Sequence, residues 1–271
     1  MLYVCATPIG NLGDLTPRVA DALGRVELIA AEDTRHTRKL LSHLGLHVPL
    51  TSLFKHNEAQ KTEEVLACLR EGRDIALVSD AGMPGVQDPG MRLVTRAIAE
   101  GLEVTVLPGP SAVLTALVAA GLDGEGFRFV GYLPRRAREL EAALAAWRHV
   151  GGLLVAFDTG QRLSGSLAVL AAHAPGLRAA VCRELTKLHE EIVRGTAGEL
   201  AERYAAEPVR GEVVLVIGPA AAGAADRAAA VEAVLRLVEA GARPRAAATV
   251  VARLTGLSAN DLYGGAVTGE V

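Results

Sequence analysis

Short apolar strands that run into loops of small residues constrain the fold of this chain more than any other feature. Ile75–Val78 is an uninterrupted run of apolar strand formers, and residues 79–85 then bring small, Gly and Pro residues that cannot continue a strand. Loops of small, Gly and Pro residues also follow the apolar strands predicted at residues 2–6 and Val104–Leu107. Because strand, loop and helix repeat in this order, we expect a mostly parallel sheet whose loops meet at the carboxyl edge of its strands.

The residues around these loops also predict local structure. Asp88 is expected to be the N-cap of the next helix, with Pro89 at the first helical position. Val104–Leu107 is predicted to be a buried strand and Ala112–Ala120 a buried, apolar helix. Residues 158–162 are predicted to form a polar turn.

A Gly- and Asp-rich segment at residues 121–126 marks the expected boundary between two domains. With 271 residues, 50% of them apolar, the chain is long enough to bury two cores. We therefore expect an α/β fold with one α/β domain over residues 1–122 and a second over residues 123–219. Beyond a small-residue linker, residues 226–271 predict a small helical appendage similar to a helix-turn-helix.

Charge, cysteine usage and missing motifs exclude several classes of protein. The formal charge of −3 argues against a non-specific polyanion binder, and the absence of a long apolar run or a signal-like start predicts a cytoplasmic protein. The three cysteines lack the spacing of a disulfide framework, and neither they nor the histidines have the spacing of metal ligands. Neither GxxxxGK[ST] nor GxGxxG occurs, so a P-loop NTPase and an ordinary dinucleotide site have no support.

Charged residues at two predicted element ends are candidates for chemistry or for nucleic-acid binding. Glu32 and Asp33 directly follow the second predicted strand, where adjacent carboxylates serve either as structural caps or as catalytic groups. Arg135 and Arg136 precede a predicted helix, where cations oppose the helix dipole unless an anion such as phosphate lies there. A solvated helix start is the alternative for these arginines.

Eight short motifs occur in the order seen in the tetrapyrrole methylase superfamily. They are TPIGNLGD at 7–14, EDTR at 32–35, HNE at 56–58, SDAG at 79–82, DPG at 88–90, PGPSA at 108–112, RELTK at 183–187 and GE at 211–212. The chain resembles this superfamily over essentially its whole length. Within it, the motifs are most similar to the branch that methylates the ribose 2′-hydroxyl of a cytidine in 16S rRNA.

The resemblance implies a homodimer of two-domain subunits that bind S-adenosylmethionine in a cleft between the domains. Small residues suit this cofactor because a sulfonium nucleoside needs backbone hydrogen bonds and close approach rather than a phosphate cradle. The residues that the resemblance places at the cofactor are Pro8, Gly10, Asp80, Ala81, Gly82, Pro84, Pro110, Ser111, Ala112 and Thr186.

The substrate that the resemblance implies is 16S rRNA within the small ribosomal subunit. Glu32 and Asp33 are candidates for the base that takes the ribose proton. Two alternatives stay open, namely a corrin or other tetrapyrrole methylase on the same fold and a non-enzymatic nucleic-acid binder that uses the C-terminal helices. The candidates for RNA phosphate contacts are Arg35, Arg38, Lys55, Arg135 and Arg136.

Overall fold

The computed structural model describes residues 1–148, 152–207, 209–219 and 224–268. The strands within these residues are β1 (Leu2–Cys5), β2 (Leu28–Ala31), β3 (Leu50–Ser52), β4 (Ile75–Val78), β5 (Val104–Leu107), β6 (Phe127–Tyr132), β7 (Leu153–Thr159), β8 (Arg178–Arg183), β9 (Glu191–Thr196) and β10 (Glu212–Ile217). The helices are α1 (Pro17–Arg25), α2 (Thr34–His43), α3 (Glu58–Arg70), α4 (Met91–Ala99), α5 (Ala112–Ala120), α6 (Ala137–Arg148), α7 (Gly160–His173), α8 (Ala197–Arg203), α9 (Ala224–Glu239), α10 (Pro244–Thr255) and α11 (Ala259–Thr268).

The first sheet is parallel and has the order β3-β2-β4-β1-β5. The central strand β4 is buried along its whole length, as its uninterrupted apolar sequence predicts. Val78 at its end is in register with Cys5 of β1 and Ala31 of β2, and Cys5 is in register with Leu107 of β5. Four strands therefore end at one level and deliver their loops to the same edge.

The second sheet has the order β6-β7-β10-β8-β9, and β6 with β7 is its parallel pair. One face packs against α6, α7 and α8. The other face receives α5 of the first domain, whose Val113, Ala116 and Ala120 lie in one apolar cluster with Val155 and Val214 of the second sheet. Because α5 begins at the third loop of the first domain, this packing brings the second sheet against the loop edge of the first.

The C-terminal helices α9, α10 and α11 pack on one another around a separate apolar core. Val231, Val234, Ala248 and Leu262 are buried in it. The predicted helical appendage is thus a three-helix unit whose main contacts are internal. None of the helices in the described parts of the chain is long and apolar enough to cross a membrane.

The structure corrects several local predictions. The helix after the central loop begins at Met91, and its N-cap is Gly90 with φ of 119°, so Asp88 and Pro89 lie outside it. β5 and α5 are only partly buried, because β5 is the edge strand of its sheet and one side of α5 faces outward.

The sequence prediction also missed β3 and misplaced one turn. β3 has only three residues, of sequence LTS and all half-buried, which is too short for an alternating apolar pattern to show. The predicted polar turn at 158–162 is wrong, since β7 continues to Thr159 and α7 begins at Gly160. The predicted boundary between residues 122 and 123 falls in the connection from α5 to β6.

Candidate active site

Three loops of the first domain are held against one another at the carboxyl edge of its sheet. Thr7 and Gly82 form an isolated antiparallel bridge, with N–H···O distances of 2.9 and 3.0 Å in the two directions. The Thr7 hydroxyl also donates to the carbonyl of Ser79 at 3.1 Å. The third loop approaches through Gly109, where a Cβ would lie 2.9 Å from the Cβ of Ala6. The loops predicted to converge therefore do so.

A cavity of about 220 Å³, called the inner cavity below, lies between these loops and the second domain. The first domain lines it with loop residues that include three carboxylates. The second domain lines it with apolar and aromatic side chains, among them Phe157, Leu185 and Val214. The ring of Tyr132 stands edge-on to Phe157, 5.5 Å between centroids, and completes that wall. Asp158 and Glu212 of the second domain line it too, so the acidic wall of the first domain faces a wall that is apolar except for these two carboxylates.

Glu32, Asp80 and Asp88 form the acidic wall of the inner cavity. Asp80 Oδ1 accepts the backbone N–H of Asp33 at 3.0 Å, and Glu32 Oε2 accepts the backbone N–H of Asp80 at 3.5 Å. Burial, and then the negative charges of Glu32 and Asp80, raise the pKa of Asp88 to about 7. Burial and the charge of Asp80 also raise the pKa of Glu32. Such a wall retains a proton near neutral pH and favours a cationic ligand.

Asp33, the second predicted base, has the position of a helix cap. Its carboxylate accepts the backbone N–H of Arg35 at 2.8 Å and pairs with the Arg35 guanidinium at 2.6 Å. These hydrogen bonds lower the pKa of Asp33 to about 2. Of the two adjacent carboxylates, only Glu32 lines the inner cavity.

Residues 184–187 of the second domain, called the clasp below, contact the first loop of the first domain. Thr186 Oγ1 accepts the backbone N–H of Asn11 at 3.1 Å. A Cβ on Gly10 would lie 2.5 Å from Cγ of Lys187 and 3.1 Å from a clasp carbonyl oxygen. The absence of a side chain at Gly10 therefore permits the domains to meet here.

The clasp is held in an unusual backbone conformation by ion pairs. Glu184 and Thr186 have positive φ values of 50° and 64°, which residues other than glycine rarely adopt. The Lys187 ammonium lies 2.9 Å from both the Glu184 and the Glu212 carboxylates. Glu184 also accepts the backbone N–H of Glu212 at 2.9 Å, above Gly211, whose Cβ would lie 2.6 Å from it. The two C-terminal sequence motifs thus form one structural unit.

A second cavity of about 490 Å³, called the outer cavity below, adjoins the inner one. The two cavities share Ile9, Asp80, Ala81 and Glu212 as walls. The outer cavity is also bounded by Lys187 of the clasp and by one face of α2, which presents His36, Thr37, Lys39 and Leu40.

The residues predicted to bind the cofactor divide between the two cavities. The inner cavity is lined by Asp80, Ala81, Gly82, Ser111 and Ala112. The outer cavity is lined by Pro8, Gly10, Asp80 and Ala81. Pro84 and Pro110 line neither cavity, and Thr186 belongs to the clasp.

The residues predicted to contact RNA are all exposed, but their charges are not equally free. Arg35 pairs with Asp33, and Arg136 pairs with Glu139 at 3.1 Å. Within the described residues, no ion pair engages the side chains of Arg38, Lys55 and Arg135.

Arg162 connects α7 to the segment that precedes α6. Its guanidinium donates to the carbonyl oxygens of Leu133 at 2.6 Å and Pro134 at 3.1 Å. It also lies 3.4 Å from the carboxylate of Asp158, whose side chain is fully buried. The pair therefore fixes the start of the segment that carries Arg135.

The sequence prediction missed Asp88 and Lys39 as site residues. Asp88 lies in a motif that was assigned to helix capping, which hid its place in the inner cavity. Lys39 belongs to α2, whose sequence TRHTRKLLSH contains several basic residues and no acidic one. This excess of basic residues in one helix is the sequence signal that could have identified Lys39 as a site residue. Among the described residues, no group of three or more His, Cys, Asp or Glu is arranged to hold a metal ion.

Two α/β domains that close on an acidic and apolar cavity, with small-residue loops at its edge, define the class of this protein. The chain belongs to the tetrapyrrole (corrin/porphyrin) methylases, whose family description it matches over residues 1–201. It is 43% identical over 265 residues to the ribosomal RNA small subunit methyltransferase I of Micromonospora olivasterospora, covering 97% of this chain and 85% of that one. The Escherichia coli O157:H7 protein of the same name is 41% identical, with 97% and 93% covered.

Solved structures of two methyltransferases share the fold. A uroporphyrin-III-C-methyltransferase from Thermus thermophilus superposes with a TM-score of 0.56 and is 21% identical, covering 80% of this chain and 93% of that one. The methyltransferase CobJ gives a TM-score of 0.60 at 22% identity, with 81% and 94% covered. At these identities the likeness concerns the fold alone. The predicted α/β fold class is confirmed.

The residues present fit the methyl donor of this family, S-adenosylmethionine. The apolar wall suits a nucleoside, and the carboxylate wall suits a sulfonium and an ammonium group. The converging loops offer backbone groups beside small residues, which lets a ligand approach the main chain closely. The prediction that this chain is a methyltransferase dependent on S-adenosylmethionine is confirmed at the level of the family.

Proposed function

We propose that this protein methylates the ribose 2′-hydroxyl of a cytidine in 16S rRNA, with S-adenosylmethionine as methyl donor. One observation carries the proposal: the acidic and apolar inner cavity lies between two domains of a chain that is 40–43% identical to ribosomal RNA small subunit methyltransferases I. When bound, S-adenosylmethionine supplies an activated methyl group. The protein must therefore align a hydroxyl with that group and exclude water.

The chain supplies alignment through the loops and the clasp. The bridge between Thr7 and Gly82 fixes two loops, and the contact of the clasp with Gly10 closes the cleft from the second domain. Orientation of two reactants in this way can lower a barrier by roughly 7–11 kcal/mol. The proposed cofactor residues act mainly through their backbone, as their small side chains suggest.

The coupled carboxylates Glu32 and Asp88 are the proposed acceptors of the ribose proton. A ribose hydroxyl is a weak nucleophile, and a positioned base typically contributes about 100- to 10,000-fold in rate. Asp88 suits this role because its raised pKa lies near neutral pH, and Glu32 shares the wall with it. Asp33 is proposed to position α2 and Arg35 rather than to take the proton, since its carboxylate is already engaged.

The substrate is proposed to reach the protein as RNA in the small ribosomal subunit, in the cytoplasm. The unpaired cations Arg38, Lys55 and Arg135 are proposed to bind phosphates directly. Arg35 and Arg136 would first have to exchange their carboxylate partners.

A homodimer is proposed from the exposed apolar side of the first domain. Val106 of the edge strand β5 is 54% exposed, and Leu114 and Val118 of α5 are 53% and 81% exposed. Leu114 and Val118 are four residues apart and so lie on one side of α5. A second copy would cover these side chains and the open edge of the sheet.

The proposed function is tested on the 16S rRNA of small ribosomal subunits from a strain that lacks the protein. After incubation with the purified protein and S-adenosylmethionine, nucleoside mass spectrometry is expected to show one additional 2′-O-methylcytidine. A methyl group on a base, or transfer to a tetrapyrrole but not to rRNA, would contradict the proposal. Calorimetry with S-adenosylmethionine separates an enzyme from a non-enzymatic nucleic-acid binder, which would show no binding of the methyl donor.

A further inference from the structure

The outer cavity differs from the inner cavity in the charge of its walls. The inner cavity carries Glu32, Asp88 and Asp158 in addition to the two shared carboxylates, Asp80 and Glu212. A phosphodiester would meet like charge there. The outer cavity lacks these three carboxylates and is lined by Lys39 and Lys187 instead, so an anion meets less repulsion there than in the inner cavity.

Lys39 is the basic side chain of the outer cavity whose charge is not already balanced. Lys187 is held between Glu184 and Glu212 at 2.9 Å from each. Among the residues that the structure describes, the Lys39 ammonium has no ion-pair or hydrogen-bond partner, although it is exposed at the cavity wall. His36, one turn earlier on α2, lines the same wall. An unpaired ammonium beside a cavity is suited to bind a phosphate oxygen.

The size and lining of the outer cavity suit one nucleotide. Its volume of about 490 Å³ lies within the roughly 300–1,000 Å³ range of ligand pockets. Leu12, which is 41% exposed, gives it an apolar surface against which a base can lie.

We propose that the outer cavity holds the target nucleotide of the RNA, with Lys39 binding a phosphodiester group next to it. The inference rests on the proposed function and names the site at which that RNA is bound. A nucleotide in the outer cavity would lie next to the inner cavity, in which the methyl donor is proposed to bind, at the shared residues Ile9, Asp80 and Ala81. The phosphate chain then continues along α2, past Arg38 and Arg35, which lie on the adjoining side of the helix.

The test compares Lys39→Ala with Arg25→Ala in the full chain. Arg25 is an exposed residue at the C-terminal end of α1, at the opposite edge of the parallel sheet, so its removal is a matched loss of one positive charge. The probe is small ribosomal subunits purified from a strain that lacks the protein, with affinity measured at several salt concentrations. Lys39→Ala is expected to weaken RNA binding about tenfold and to reduce the salt slope by about 0.7 for one lost phosphate contact. Arg25→Ala is expected to change neither quantity.

Two further measurements distinguish this site from a general loss of charge or fold. In methyl transfer, Lys39→Ala is expected to raise KM for the RNA and leave kcat unchanged. Its affinity for S-adenosylmethionine, measured by calorimetry, is expected to equal that of the wild type. RNA affinity and salt slope equal to those of Arg25→Ala would overturn the inference while leaving the proposed function intact. A wild-type protein that binds S-adenosylmethionine but neither binds nor methylates the RNA would overturn both.

Discussion

Asp88 is the residue whose role changes most between the sequence and the structure. In the sequence it precedes Pro89 and an amphipathic helix, which is the pattern of an N-cap. In the structure Gly90 takes that place with positive φ, and Asp88 lies at the inner cavity beside Glu32 and Asp80. The same residue that predicted a helix end therefore forms part of the candidate active site.

Asp88→Asn is expected to reduce the dependence of stability on pH. The pKa of Asp88 rises from 3.8 to about 7 on folding, so the native state binds more protons than the unfolded state between these values. Stability contributed by this group is therefore lost as pH rises from about 4 to 7. At pH 8 the variant should be more stable than the wild type by on the order of 1 kcal/mol, a figure reduced for the partial exposure of the side chain. Denaturant unfolding at pH 4 and pH 8 measures both proteins.

The same variant tests the proposed proton acceptor. Its methyl transfer rate is expected to fall by about 100-fold or more, whereas Asp33→Asn should have a much smaller effect. Parallel stability curves for wild type and Asp88→Asn, or equal rates, would contradict the assignment.

At the scale of elements, the junction of β7 and α7 shows why residues 158–162 do not form the polar turn that their sequence predicts. Asp158 is buried at the end of β7, and Arg162 lies one turn into α7. The arginine donates to two backbone carbonyls of the segment after β6 and lies 3.4 Å from the carboxylate, whose Oδ2 has no hydrogen-bond partner among the described residues. The polar residues that suggest an exposed turn therefore link β7, α7 and the segment after β6 through a buried carboxylate and its arginine.

Arg162→Ala is expected to destabilise the protein by about 3–5 kcal/mol, because it leaves the buried Asp158 without its cation. Arg138→Ala is the matched control, since Arg138 is exposed on α6 and forms no ion pair among the described residues. Denaturant unfolding measures both variants. Equal unfolding midpoints for Arg162→Ala and Arg138→Ala would show that the contact of Arg162 with Asp158 adds nothing to stability.

At the scale of the whole molecule, the cleft depends on how closely the two domains meet. Two contacts join the domains. α5, which follows the third loop of the first domain, packs on the second sheet, and the clasp of the second domain meets the first loop at Gly10. The candidate site is therefore shared by both domains, and its shape changes if either contact is lost.

Gly10→Ala is expected to weaken S-adenosylmethionine binding by about tenfold, since its Cβ would lie 2.5 Å from Lys187 and 3.1 Å from a clasp carbonyl oxygen. Such overlap typically costs about 1–3 kcal/mol. Here the clasp would have to move away from the first loop to relieve it. Gly165→Ala in α7 is the control, because its Cβ would meet nothing within 4 Å. Calorimetry compares the two variants, and equal affinities would exclude a role of the Gly10 contact in cofactor binding.

Much of the first domain and part of the site could be predicted from the chain alone. Uninterrupted apolar runs followed by small-residue loops predict buried parallel strands and place their loops at one edge, which the contact of Thr7 with Gly82 confirms. The exposed side of α5 could not be predicted in the same way. Its sequence is apolar on every side, and periodicity does not tell which side meets another domain.

Residue order alone predicts most of the strands, the loops at their ends and the family to which the chain belongs, because these depend on local patterns. Only the tertiary structure decided which charged groups share a cavity. Asp88, Glu32 and Asp80 are far apart in the chain, and so are Lys39 and the clasp. The raised pKa values of Asp88 and Glu32 and the unpaired charge of Lys39 depend on burial and on neighbours across space, which the order of residues does not specify.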